Sequence, residues 1–77
     1  MTDAQKTQTD RHVEERARTF RDLGIKVLDA LHLASAVEAQ ADYFCTCDDR
    51  LLRRARIAET LQTKVVSPLE LIAEITA

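Results

Sequence analysis

Residues 43–66 read YFCTCDDRLLRRARIAETLQTKVV, and this stretch decides the predicted fold. It opens with strand-forming residues at positions 43–46 and closes with a second such run, Lys64, Val65 and Val66. The segment between the two runs is long enough for the crossover that a pair of parallel strands requires, and such crossovers are right-handed. We therefore predict a βαβ unit whose first strand is buried.

Helices are predicted before, within and after this unit. Apolar residues recur at helical spacing after Asp10, a candidate N-cap, and Gly24 is a typical stop for that helix. A second helix is predicted over residues 29–41, and its low charge indicates cover on more than one side. A third helix fills the crossover, and residues 67–70 (SPLE) form a capping box with Pro at the first position of the last helix.

The length of 77 residues bounds the chain to one small domain. Residues 1–9 are polar and are expected to form a disordered lead-in, and residues 10–77 are expected to form the domain. With 45% hydrophobic but only 4% aromatic residues the core should be thin, which favours self-association.

Charge and cysteine content restrict the function and the location. A net charge of −2 argues against a domain that charge alone holds on nucleic acid. The sequence contains no apolar run long enough for a membrane span and no signal-peptide pattern, so we expect a cytoplasmic protein. Cys45 and Cys47 are expected to be reduced and buried as small apolar residues.

Acidic residues gather at one predicted end of the sheet. Asp48 and Asp49 follow the first strand directly, and Asp29 opens the preceding helix, so three carboxylates could converge where parallel sheets bind ligands. Such oxygen-rich clusters suit Mg²⁺ or Mn²⁺, which could activate water for phosphodiester hydrolysis. The alternative is that Asp29 and Asp48 are helix caps and that Asp49 complements a helix dipole.

Three blocks of the chain resemble the C-terminal half of a PIN domain. They are residues 24–36 (GIKVLDALHLASA), 41–52 (ADYFCTCDDRLL) and 65–72 (VVSPLELI), and together they span roughly residues 12–75. The pieces DALHLA and T-x-D carry the resemblance in combination. It implies a truncated PIN-like α/β fold with the order helix-helix-strand-helix-strand-helix around a short parallel βαβ core.

The resemblance also implies a function. The resemblance implies a metal-dependent ribonuclease similar to the toxin nucleases of bacterial toxin and antitoxin pairs. RNA and an antitoxin are therefore implied partners. The metal carboxylates of the family fall on Asp29 and Asp48 here, and Mg or Mn is the implied cofactor. Asp49 is a third candidate ligand, and Thr46 would orient the site by hydrogen bonding.

The sequence departs from the family at its start. PIN domains begin with a strand that carries an Asp, followed by helices that contribute a Glu, and nothing before Asp10 could form that strand. We expect either a fragment or a chain that a homo-oligomer or another chain completes, and we expect no catalysis by the isolated monomer.

Other residues leave alternatives open. Arg50, Arg53 and Arg54 could contact an RNA backbone, although a solvated helix face explains them equally well. A noncatalytic homo-oligomerisation or protein-interaction module is the second hypothesis. A thiol or zinc protein that uses Cys45 and Cys47, with His32, is the third, although the C-x-C spacing does not match structural zinc sites.

Overall fold

The computed structural model describes residues 8–77, and its elements follow the predicted order. The mixed α/β class predicted from the sequence is confirmed. The elements are α1 (Gln8–Asp22), α2 (Val27–Glu38), β1 (Tyr43–Cys45), α3 (Asp49–Ile57), β2 (Lys64–Val66) and α4 (Pro68–Thr76).

The two strands form a parallel pair, as the crossover length predicts. Phe44 lies opposite Val65, and Cys45 lies opposite Val66. Thr46 extends the pairing beyond the end of β1, because its backbone N–H donates to the Val66 carbonyl over 2.9 Å. The carboxyl ends of both strands therefore lie at the same end of the sheet, and the loop that follows β1 begins there.

The apolar core lies between one face of this sheet and helices α1, α2 and α3. Phe20, Leu33 and Val37 are its largest fully buried side chains. Phe44 and Val65, which share a sheet face, pack into the same cluster. Because side chains alternate along a strand, the residues next to them face the opposite side of the sheet, where α4 lies.

Helix α4 contacts the sheet through polar groups. The carboxylate of Glu74 receives hydrogen bonds from the Tyr43 hydroxyl at 3.4 Å and from Lys64 Nζ at 3.2 Å. The apolar side chains Leu69, Ile72 and Ile75 are instead 80%, 54% and 66% exposed. The predicted capping box is present, since Ser67 Oγ accepts from the Glu70 N–H and Glu70 accepts from the Ser67 N–H.

Helix α2 is displaced from its predicted bounds of 29–41. It begins after Lys26, which has an extended backbone and makes no side-chain cap, so Asp29 is in the first turn rather than at the N-cap. It ends before Ala41 because Gln40 adopts a left-handed backbone with φ 60°. The predicted cover on more than one side is also wrong within residues 8–77: Leu31 is 37% exposed, and Leu28 is 67% exposed.

The first helix begins at Gln8, two residues before the predicted N-cap at Asp10. The expected lead-in over residues 1–9 thus falls partly on α1, and residues 1–7 lie outside the described part of the chain. Gly24 follows the helix with φ 94°, as expected for a glycine stop.

The prediction that β1 and its cysteines are buried is wrong. Tyr43 and Phe44 are half-buried, whereas Cys45 and Cys47 are exposed free thiols. The physical reason is that β1 has a single strand neighbour among residues 8–77, so one edge of the strand lacks cover.

Within residues 8–77, no helix has both the length and the apolar character needed to cross a bilayer.

Candidate metal centre

Asp48 is held rigidly at the carboxyl end of β1. Its Oδ1 accepts the backbone N–H groups of Arg50 at 2.9 Å and Leu51 at 3.2 Å, which caps α3. Its own N–H donates to Thr46 Oγ1 at 3.1 Å. The cap predicted for this residue is therefore present, and because both capping bonds use Oδ1, the second carboxylate oxygen is available to a ligand.

Asp29 approaches the same place from α2. It lies in the first turn of that helix, next to the tight corner at residues 23–26 that joins α1 to α2. Asp29 and Asp48 line one crevice between this corner and the start of α3. The two residues that the sequence predicted to be neighbours therefore line the same crevice.

The crevice is small, and it is also lined by cations. Its volume is about 10 Å³, close to the space that one water-sized guest needs. Lys26, Arg50 and Arg54 lie around the two aspartates. Two carboxylates among three cationic side chains give the crevice mixed charge, and a hydrated ion with a phosphate would have to lie at its mouth rather than within it.

Arg54 also supports the wall of the crevice. Its Nη1 donates to the Leu23 carbonyl at 3.2 Å, which ties α3 to the α1–α2 corner. A Cβ at Gly24 would also meet the end of the flexible Arg54 side chain, but glycine is required there chiefly for its φ of 94°. The Arg54 Nε is buried without a hydrogen-bond partner among the described residues.

The other predicted site residues named from the sequence lie elsewhere. Asp49 is exposed in the first turn of α3, and Arg53 is exposed on the same helix, but neither lines the crevice. His32 is exposed on α2 and likewise does not line it. Cys45 and Cys47 gain no third metal ligand, because residues 8–77 contain no group of three or more His, Cys, Asp or Glu side chains placed to hold an ion.

Arg56, at the far end of α3, has a structural role. It donates to the Val65 carbonyl through Nε and Nη2, both at 3.4 Å, and it pairs with the Glu70 carboxylate. The hydrogen bond from Arg56 and that from the Ser67 N–H lower the pKa of Glu70 from 4.5 to about 2. This pair links α3 and α4 to the outer edge of β2, the edge that does not face β1.

Comparison with known proteins identifies the family. A sequence profile described as the PIN domain matches residues 2–57, which is more than half of the chain and includes Thr46 and both crevice aspartates. The chain belongs to the PIN-domain family. This membership indicates nuclease-type chemistry and a general use of divalent metals. No curated protein and no solved structure matches the chain.

The residues present fit a divalent metal in a limited way. Mg²⁺ and Mn²⁺ keep several waters and are often bound by one or two carboxylates together with substrate phosphate. Asp29 and Asp48 supply that number of carboxylates at one crevice, although no larger ligand group occurs in residues 8–77. The donor set therefore fits an ion held mainly by water and phosphate.

Lys26 and the pairing of Arg54 with Gly24 were missed from the sequence. Lys26 carries no motif, and it joins the crevice only because the α1–α2 corner brings it there. Gly24 gave a signal for a helix end but none for the guanidinium that packs on it.

Proposed function

We propose that the chain carries part of the active site of a PIN-type ribonuclease that hydrolyses RNA phosphodiesters with Mg or Mn. The observation that supports this most is the shared crevice of Asp29 and Asp48 at the carboxyl ends of parallel strands. Ligand sites of parallel sheets typically lie beyond the carboxyl ends of the strands. The family membership supports the same chemistry.

Asp48 is the positioned ligand in this proposal. Its two capping hydrogen bonds hold the carboxylate before any ligand arrives, and the Thr46 hydroxyl holds the Asp48 backbone by accepting its N–H, which lowers the ordering cost of binding. Asp29 provides the facing carboxylate from α2. A bound Mg²⁺ or Mn²⁺ would lower the pKa of a coordinated water and neutralise charge on the attacked phosphate. Asp49 is a further candidate ligand that could join only through such a water.

The arginines have separate roles in the proposal. Arg50 is exposed at the mouth of the crevice and can contact an RNA phosphate, as Arg53 can on the same helix. Arg54 is already bound to Leu23, so it contributes charge from a fixed position. RNA is the substrate proposed here, in the cytoplasm, and an antitoxin-type protein is the partner that would block it.

Catalysis is not expected from the isolated monomer in this proposal. Two carboxylates give a metal few protein ligands, and a two-stranded sheet is marginal as a scaffold. We propose that a second copy or a chain supplying further acidic residues completes the site.

Manganese titration of the purified chain tests the proposed ligands. We expect Mn²⁺ binding by calorimetry to weaken at least tenfold in Asp29→Asn and in Asp48→Asn, because each removes a charge from the crevice. Asp42→Asn is the matched control, since Asp42 is exposed at the opposite end of β1 and should bind like the parent chain. Equal affinity in the parent chain and in both crevice variants would overturn the proposal.

A noncatalytic interaction module is the second candidate function. The exposed apolar side chains Leu69, Ile72 and Ile75 of α4 favour it, because an apolar helix stripe is normally covered. Sedimentation analysis tests it: we expect association that weakens in Leu69→Ser/Ile72→Ser, and a parent chain that stays monomeric at high concentration would contradict it.

A further inference from the structure

The outer edge of β2 is covered by side chains of the described residues, whereas the outer edge of β1 is not. In the parallel pair, Lys64 and Val66 direct their backbone groups toward β1, as the bonds from Lys64 N to Asp42 O and from Thr46 N to Val66 O show. Val65 therefore directs its own backbone groups to the outer edge of β2. There its carbonyl accepts two hydrogen bonds from Arg56, which Glu70 holds in place. That edge is blocked by a charged side-chain pair, a common protection against further strand pairing.

The outer edge of β1 has no such block within residues 8–77. Asp42, Phe44 and Thr46 use the inner edge, so Tyr43 and Cys45 direct their N–H and C=O groups outward. Cys45 is exposed, and β1 has a strand neighbour on one side alone in the described chain. A row of unpaired backbone donors and acceptors of this kind is a template for another strand.

This edge is complementary to itself. If two copies of β1 meet antiparallel about a two-fold axis at Phe44, Tyr43 of one copy lies opposite Cys45 of the other. In that register each Tyr43–Cys45 pair exchanges both of its backbone hydrogen bonds, so every outward donor and acceptor of residues 43–45 is satisfied. The two half-buried Phe44 rings meet at the non-hydrogen-bonded position, where cross-strand side chains are closest.

The charges agree with the same register. Asp42 lies opposite Thr46 of the second copy, whereas a shift that pairs Cys45 with itself would place Asp42 opposite Asp48 and bring like charges together. The net charge of −2 per chain gives little long-range repulsion. Pairing would also convert a marginal two-stranded sheet into a four-stranded one.

We propose that the outer edge of β1 is a self-association surface at which two copies of the chain pair through Tyr43 and Cys45. The resulting sheet has the strand order β2-β1-β1-β2, with the blocked β2 edges outside. The antiparallel register puts the carboxyl ends of the two β1 strands at opposite ends, so this second copy does not complete the crevice of Asp29 and Asp48. The proposal is therefore independent of the nuclease proposal.

A proline at position 45 tests the surface by removing an outward donor while leaving the β1–β2 ladder intact. Cys45→Ser is the matched control, because it removes the thiol and keeps the N–H. Sedimentation should show concentration-dependent dimers for Cys45→Ser. Cys45→Pro loses two inter-strand hydrogen bonds per dimer, so its association should be about 30-fold weaker. Circular dichroism checks that both variants keep their helices.

A cross-linking measurement remains informative if the proline variant unfolds. In Tyr43→Cys/Cys47→Ser the Cα atom of residue 43 should lie about 5.5 Å from the Cα atom of Cys45 in the second copy. This separation permits a disulfide. We expect oxidation to give dimers faster than in Gln62→Cys/Cys47→Ser, where the added thiol is exposed but away from the edge. Equal cross-linking rates, equal association of the proline and serine variants, or a strictly monomeric chain that binds only a foreign strand would overturn the proposal.

Discussion

Replacing Asp48 in two ways should separate its structural role from its proposed chemical role. Asp48 Oδ1 accepts two backbone N–H groups at the start of α3, over 2.9 and 3.2 Å. Asp48→Ala removes this cap and should lower the free energy of unfolding by about 1–2 kcal/mol. In a domain of this size, each kcal/mol corresponds to a fall of roughly 4–8 °C in Tm.

Asp48→Asn should behave differently, because Asn caps helices as well as Asp does. We expect its free energy of unfolding to lie within about 0.5 kcal/mol of the parent value. Its Mn²⁺ affinity should nevertheless fall as far as that of Asp48→Ala, since both variants lack the charge. Urea unfolding followed by circular dichroism gives the stabilities, and calorimetry gives the affinities.

The reasoning would be refuted by either of two results. If Asp48→Asn were as unstable as Asp48→Ala, the carboxylate charge rather than the cap would support α3. If Asp48→Asn bound Mn²⁺ like the parent chain, Asp48 would be a cap alone, which is the alternative that its sequence context left open.

Three further predictions concern packing, backbone and pH. Leu33→Ala should lower the free energy of unfolding by about 2–5 kcal/mol because Leu33 is fully buried, whereas Leu69→Ala should change it by less than about 0.5 kcal/mol; equal effects in urea unfolding would contradict the assigned core. Gly24→Ala should cost about 1–3 kcal/mol through its positive φ and the approach to Arg54, and a neutral result in the same assay would argue against that corner. Because the pKa of Glu70 is lowered from 4.5 to about 2, the ionised carboxylate stabilises the folded chain fully above pH 4.5, and this contribution is lost as the pH falls toward 2. Glu70→Gln should therefore flatten the pH dependence of the free energy of unfolding between these values. An unchanged slope would contradict the Arg56 contact.

The order of the elements could be predicted because each one carries a local signal. Strand-forming residues mark β1 and β2, the length between them requires a crossover, and the Ser67 capping box fixes the start of α4. These signals act within a few residues, so they are visible in one sequence. The same holds for Asp48, whose position after β1 indicates both a cap and a site.

The bounds of α2 could not be predicted from such signals. Lys26 is its N-cap without a side-chain hydrogen bond, and Gln40 ends it with a left-handed backbone that glycine or asparagine more often adopts. Asp29 resembled a capping residue, so the predicted start was late. Neither end therefore carries a side-chain signal that the sequence alone makes visible.

Burial at the sheet was overestimated for a related reason. Cys45 and Cys47 have apolar side chains in an apolar segment, but whether such residues are covered depends on how many strands and helices surround β1. Of the cations at the crevice, Lys26 was missed in the same way, whereas Arg50 and Arg54 were already candidates for contacting RNA. Lys26 and Arg54 are far apart in the sequence and meet only through the α1–α2 corner.

The central claim is that Asp29 and Asp48 form one cation site, and paramagnetic broadening by Mn²⁺ tests it most directly. In an amide NMR spectrum of the isotope-labelled chain, substoichiometric Mn²⁺ should broaden the resonances around Asp29 and around residues 48–50 together. The amides of Asp42 and Lys64, at the opposite end of the strands, should broaden less. Broadening confined to one of the two aspartate segments, or spread evenly over the chain, would contradict the shared site.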